Sequence, residues 1–427
     1  MGVLRVDHPD ILTFIHAKDQ EGVLTNFNLS VGVTDAFMEA VEHNAVFPLC
    51  HPRTGAVVHT VPARVLLDEI AAAAWRGGDP GMLFLDTINR QHPLPHLGTI
   101  EATNPCGEMP LLPYESCILG SINLARCVSH DTVDWAAVRR LTRLGVQFLD
   151  NVLDANQYPL PQIATMSTAT RKIGLGVMGW ADLLLQLGLP YTAPQALSLA
   201  ETLIRTITAE ARQRSAELGH ERGSFASFPG SRWQQQGYTA MRNATVTTIA
   251  PTGTLSIIAG TSSSIEPLFA VAYVRQGLEG VAWPEVNPYF LQQAQAAGLS
   301  TDVLLDQMTQ QGSVQHLTAV PEALRRVFVT ALDIPPAWHV RMQAAFQRAT
   351  DNAVSKTVNL PNSATVEEVL TVYRLAYALG CKGVTVFRDG SRAQQVLYQG
   401  KIPSLCRADG PVTAHAEYGS ECRLCSV

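Results

Sequence analysis

Apolar residues recur at three- and four-residue steps along two long stretches of the chain, and each predicts an amphipathic helix with one buried face. Between Asp134 and Leu153 the repeating set is Trp135, Val138, Leu141, Phe148, Leu149 and Val152, with Pro159 shortly beyond. From about Gln195 to Leu218 the stripe is Leu197, Ala200, Leu203, Ile204, Ile207 and Ala211, after which Gly219 offers a C-terminal stop. A third helix is announced by Thr365-Val366-Glu367-Glu368, where the threonine oxygen and the glutamate three residues on can satisfy each other's orphan amides. It runs to about Leu379, and Gly380 can end it. Val384 to Phe387 then predicts a short buried strand before the turn Asp389-Gly390. Helices alternating in this way with short β-branched runs, without an internal repeat, point to α/β architecture. Past Arg392 the regular pattern fades, and residues 395–427 read as a mobile tail.

Composition narrows this picture. Charged residues are 16% of the 427 and apolar residues 46%, against roughly 25% charged in an average globular chain, so much apolar surface has to be hidden in a core or a subunit interface. A homodimer is expected for that reason. The net charge of −6 gives no general attraction to polynucleotides or anionic membranes. Met1 to Pro9 lacks a basic segment followed by a long apolar core, and no run of 18 apolar residues occurs, so a soluble cytoplasmic protein is expected. Structural disulfides are rare in that compartment. The eight cysteines, of which only Cys422 and Cys425 form a C-x-x-C pair, then need another explanation.

The densest chemical cluster is Thr103-Asn104-Pro105-Cys106-Gly107-Glu108, followed by Pro110, Pro113 and Tyr114-Glu115-Ser116-Cys117. Prolines and glycine forbid a helix here. In an extended loop Asn104, Cys106 and Glu108 stand at alternate positions, so amide, thiol and carboxylate project to one side. A lone cysteine would be read as an inert core residue. Two polar neighbours of the same parity favour a reaction centre instead. A second cluster runs from the β-branched Ala244 to Ile249 into Pro251-Thr252-Gly253-Thr254-Leu255, a strand, a turn and a helix start whose amides and hydroxyls suit an anion. An ordinary strand-to-helix link is the alternative.

Gly174-Leu175-Gly176-Val177-Met178-Gly179 satisfies G-x-G-x-x-G, but the preceding Met166 to Lys172 is polar, not a buried strand. The dinucleotide reading is therefore rejected, and the glycines are expected to allow close helix packing. Lys18 to Asn26 reads as a polar, solvated loop between an apolar helix and an apolar strand. Cys422 and Cys425 flank Arg423, which favours the thiolate, and a zinc site that includes Cys406 and His415 is the competing reading.

These residues carry a resemblance. Asn104 to Glu108, with Cys117 inside Ser116 to Leu124, resembles the active-site finger loop of ribonucleotide reductases, and the likeness extends to Val3–Asp10, Asn26–Val31, Ile173–Gly179 and Cys381–Val386. Within that family the cobalamin-dependent dimeric class is the one it resembles. The resemblance implies part of the family's ten-stranded α/β barrel around a central finger loop over residues 1–394, and a flexible redox-active tail over 395–427. It implies that Cys106 becomes a thiyl radical that takes the ribose 3′-hydrogen. Glu108 would be the general base, Asn104 would hold the ribose hydroxyls, and Cys117 would be one of two reducing thiols. Pro105 and Gly107 would complete the substrate contact, and Pro251 to Leu255 would hold the substrate phosphates. Lys18 and Gln20 would relay effector identity to the substrate base. Cys422 and Cys425 would re-reduce the active site and be recharged by a thioredoxin-like protein.

Two features depart from the family pattern. The family's catalytic chain has a stretch ahead of the point matched by Met1, which carries the other reducing cysteine, so a separate amino-terminal fragment is expected as a partner. Cys50 and Cys127 are substitutes only by elimination and read as small buried hydrophobes. The adjacent tyrosines that relay a radical from a di-iron subunit are absent, and Tyr373 and Tyr377, four apart, read as core or boundary residues. Adenosylcobalamin is the expected radical source. A remnant that binds nucleotide or dimerises without turnover is the alternative to an active enzyme.

Overall fold

A computed structural model of the chain describes residues 1–20, 22–276, 282–392 and 413–414. The strands that position the site are β1 (Gly2–Arg5), β2 (Leu29–Val33), β3 (Gly81–Phe84), β4 (Leu119–Asn123), β5 (Gly174–Met178), β6 (Thr357–Leu360) and β7 (Gly383–Arg388). One sheet has the order β1-β2-β3-β7-β6, parallel except where β7 meets β3. A second pairs β4 with β5 in parallel.

Residues 245–249 join the two. Thr247 bridges Leu175 of β5, and Ile249 bridges Val354, just ahead of β6. The Leu175 amide donates to the Val246 carbonyl at 2.8 Å, and the Ser355 amide donates to that of Ile249 at 2.9 Å. The result is one curved wall running from β1 to β4, in keeping with the expected α/β barrel. The run Ala244 to Ile249 is thus extended as expected, but it is bridged at single residues, Thr247 and Ile249.

The predicted helices lie outside this wall. They are observed at Trp135–Ala155, Pro194–Arg222 and Val366–Ala378. The first two pack together over Val138, Val146, Leu203 and Ile207, whereas Phe148, expected on the buried stripe, is 65% exposed. The buried face lies on the other side, with Val138, Thr142, Val146, Leu149 and Leu153, and includes Asp150, which is fully buried and accepts hydrogen bonds from Arg171, Arg242 and Asn243. The capping box forms as expected: Glu368 N donates to Thr365 Oγ1, and Thr365 N donates to Glu368 Oε2 at 2.8 Å. That helix joins Ala63–Gly77 in covering the five-stranded sheet. No helix among the described residues is long and apolar enough to cross a membrane.

Two glycine expectations are corrected. Gly219 does not stop its helix, which continues to Arg222; a Cβ there would lie 2.8 Å from the Met241 backbone, so it is a close-packing position. Gly174 and Gly176 are not helix contacts. They lie within β5 itself, and only Gly179, at φ 75°, belongs to the turn before helix Trp180–Gln186. A Cβ on Gly176 would sit 2.3 Å from the Thr248 carbonyl oxygen, and one on Gly174 2.5 Å from Thr248 Cγ2. Glycine is needed so that residues 245–249 can lie flat against β5. The dinucleotide reading fails because the glycines form the strand, not the phosphate turn after one.

Gly176→Ala forces backbone against backbone, so it is expected to destabilise the fold by about 1–3 kcal/mol, the range for overpacking a filled interior. Denaturant unfolding of the variant beside the parent checks this, and an unchanged midpoint would contradict the close approach.

Candidate active site

The loop that carries the expected chemistry is a hairpin carried inside the wall. Ala102–Thr103 pairs antiparallel with Pro110–Leu111. Asn104 closes the tip, because its Oδ1 accepts from Met109 N at 3.0 Å and its carbonyl accepts from Gly107 N at 3.1 Å. Gly107 has φ 84°, a conformation that costs a residue with a Cβ. The Glu108 carbonyl is held twice, by the Thr248 hydroxyl and the Ala353 amide, each at 2.8 Å. Asn28 Nδ2 donates to the Pro105 carbonyl at 3.0 Å. Beyond the hairpin, Ser116 and Ser167 share a hydroxyl hydrogen bond of 2.8 Å, and the Ile118 carbonyl accepts from Gly174 N as the chain enters β4.

These anchors bring Cys106, Glu108 and Cys117 together. Their convergence comes from a turn, not from the strand alternation expected of an extended loop. Cys106 is exposed and lines a cavity of about 830 Å³. Loss of surrounding water, with the nearby Glu108 and Cys117 charges, pushes its thiol up to about 11. Burial also raises Cys117, again with Glu108 adding to the effect. Glu108 is 1% exposed, and burial raises its carboxyl although the Asn104 side chain bonds to it. Its Oε2 has no hydrogen-bond partner among the described residues. All three groups are thereby biased toward their neutral, protonated forms.

Pro105, Cys106, Gly107, Pro251 and Gly253 line the cavity. Thr252 is in the left-handed region at φ 56°, and its Oγ1 accepts from Ser264 N at 2.8 Å. Thr254 and Leu255 are exposed on the short helix Gly253–Ala259. Lys18 does not reach the loop tip; it pairs with Asp79 at 3.2 Å, and Asp79 lines the same cavity. Gln20 is exposed. Cys422 and Cys425, with Cys406 and His415, lie outside the described residues.

The other described cysteines sit apart from this cluster. Cys127 and Cys381 are buried in separate cores, and Cys50 ends a strand, Val46–Cys50, on an outer hairpin. Tyr373 is fully buried, and Tyr377 donates its hydroxyl to Asp35 at 2.9 Å, in keeping with core and boundary roles.

Sequence reasoning missed the buried ion pairs, two of which lie next to the site. Lys172 meets Glu115 at 2.6 Å beneath the loop. Lys356 meets Glu266 at the cavity wall, where its Nζ also donates to His339 Nδ1 at 3.0 Å. The available signal was Arg171-Lys172 immediately ahead of an apolar strand, two cations that burial obliges to find carboxylates.

A family model described as the ribonucleotide reductase barrel domain matches residues 1–387. A vitamin B12-dependent ribonucleoside-diphosphate reductase of Mycobacterium tuberculosis is 51% identical over 411 residues, 96% of this chain and 58% of that protein. One from Thermoplasma acidophilum is 48% identical over 402 residues, 94% of this chain and 52% of that protein. The chain therefore spans little more than half the length of these relatives. Among solved structures, the class Id ribonucleotide reductase alpha subunit of Actinobacillus ureae superposes with a TM-score of 0.73 at 23% identity, over 91% of this chain and 70% of that one, a likeness of fold.

Because the thiolate is the nucleophile, a thiol raised from 9.0 to about 11 is expected to react with iodoacetamide about a hundredfold more slowly at pH 8 than an ordinary cysteine. Reactivity should climb toward pH 11. Glu108→Gln removes a like charge, lowers the thiol's pKa and speeds the reaction. Mass spectrometry of the Cys106 peptide over a pH series reads all three, and an ordinary profile near pH 9 would contradict the site's electrostatics.

Proposed function

The chain belongs to the ribonucleotide reductase family, and on that premise we propose that it carries the catalytic barrel of an enzyme reducing ribonucleoside diphosphates to 2′-deoxyribonucleotides. The observation that carries this reading is the proximity of Glu108 and Cys117 to Cys106, which itself lines the large cavity. Cys106, kept as a thiol, offers a weakly held hydrogen and, as a thiyl radical, takes the 3′-hydrogen of the ribose. Glu108 accepts the 3′-hydroxyl proton. The 2′-carbon–oxygen bond breaks, the hydroxyl leaves as water, and two thiols supply two electrons and two protons as they close to a disulfide; Cys106 then returns the hydrogen to the 3′-carbon and is a thiyl again, and Glu108 returns its proton to the 3′-oxygen. Cys117 is one of the two reducing thiols. The second belongs to the portion of the enzyme beyond the matched span, in the same polypeptide or in a separate amino-terminal fragment. Asn104 orients Glu108 and the ribose hydroxyls, and residues 251–255 receive the phosphates.

Adenosylcobalamin would supply the radical that makes Cys106 a thiyl. The cavity of about 830 Å³ that Cys106 lines is where it would sit. Ile257, Asn287, Pro288 and Tyr289 would hold it, as apolar and amide-bearing wall residues. The reading divides the chain into a barrel over 1–394 and a redox tail over 395–427, in which Cys422 and Cys425 exchange with a thioredoxin-like protein. Lys18 and Gln20 sense nucleotide effectors, and the enzyme acts as a homodimer.

Cys106→Ser is expected to abolish deoxynucleotide formation without changing thermal stability, because a serine hydroxyl does not yield its hydrogen to the radical. The assay uses enzyme supplied with adenosylcobalamin, a small dithiol and the segment bearing the second thiol. Turnover by the variant would remove Cys106 from the centre of the reaction. A parent protein that binds nucleotide without turnover would leave only the non-catalytic reading.

A further inference from the structure

Lys172 and Glu115 take no part in the chemistry described above, yet both side chains are essentially sealed from solvent, at 1% and 0% exposure, and they meet at 2.6 Å. Removing two charges from water is expensive, and a buried pair seldom adds net stability over apolar residues of the same size. Its value has to lie in what it fixes. Lys172 Nζ also donates to the Pro110 carbonyl at 3.4 Å, and Glu115 Oε2 also accepts from Leu112 N at 2.6 Å. Pro110 is two residues after Glu108, and Glu115 two before Cys117. One ammonium therefore grips both limbs of the loop that separates the general base from the reducing thiol.

The grip has a firm origin. Lys172 stands immediately ahead of β5, where Ile173 N donates to Thr245 O at 3.1 Å and Gly174 N to Ile118 O at 2.9 Å. Its neighbour Arg171 turns the opposite way, to Asp150 and Asp154. The lysine base thus belongs to the wall, and its tip belongs to the loop.

We propose that Lys172, through Glu115, is a positioning residue that sets Cys117 against Cys106 and Glu108. The proposal rests on the reductase reading for its effect on turnover, but its geometric part does not. Replacing both charges in Lys172→Met/Glu115→Gln keeps an acceptor for Leu112 N and removes the tie to Pro110. In that variant Cys117 is expected to alkylate at least fivefold faster than in the parent at pH 8, since loosened limbs admit water. With the same supplements as above, kcat should fall at least tenfold while KM stays within twofold. Lys172→Arg, which keeps the charge, should recover part of kcat. Should the double variant fail to fold, Lys172→Met alone carries the same comparison, since an unpaired Glu115 can take up a proton and stay neutral. A Cys117 alkylation rate and kcat both within twofold of the parent would overturn the proposal. If the parent itself lacks turnover, the reductase reading fails instead, and the alkylation comparison still decides whether the pair positions Cys117.

Discussion

A loop taken inside a barrel must find a partner for each peptide group it withdraws from water, since each unpaired one costs about as much as a lost hydrogen bond. The rest of the structure follows from how that demand is met here. The hairpin tip is held from one side by Thr248 and Ala353, which both donate to the carbonyl of Glu108, the residue whose carboxyl matters most. Thr248 can reach it only because residues 245–249 lie flat on β5, and they lie flat only because Gly174 and Gly176 have no side chains. A strand composition that resembles a nucleotide fingerprint is thus a requirement of the active loop one layer further in.

The same enclosure sets the chemistry. Burial raises Cys106, Glu108 and Cys117 together, and the proximity of Glu108 adds to the rise at both cysteines. A site built for a nucleophilic cysteine would do the opposite, with a cation or helix terminus lowering the thiol. Keeping the proton on sulfur suits hydrogen-atom transfer, where the S–H bond itself is used, and it keeps a reducing thiol from reacting with stray electrophiles. A raised carboxyl likewise suits a base that must give its proton back.

Much of this was legible in the sequence, for physical reasons that differ from element to element. The long helices were readable because their buried stripes are periodic, and the Val366–Ala378 helix because its cap is chemically explicit. The loop was readable because Asn, Cys and Glu are close along the chain. Glycine roles were not, since Gly174, Gly176 and Gly219 make room for residues about 70, 70 and 20 positions away in sequence, which no local pattern records. Periodicity puts Phe148 inside, but the buried face of that helix is the one bearing Val146, Leu149 and Leu153, and it includes Asp150, whose charge is matched by a cluster of arginines that the local pattern does not record.

Arg171 and Lys172 show how little chain is needed to couple the layers. Arg171 ends the helix Pro161–Thr170 in the left-handed region at φ 46°, and from there one cation enters the helical layer at Asp150 and Asp154 while the next enters the loop at Glu115. Asp150 is also bound by Arg222 and Arg242, at the far end of the long helix and in the segment that follows it. Displacing β5 along its own axis would therefore break buried ion pairs on both faces at once, and a buried charge left unpaired costs several kcal/mol. The register of β5 is fixed by charge as well as by its hydrogen-bond ladder, and through Lys172 that register is passed to the loop bearing Cys106, Glu108 and Cys117.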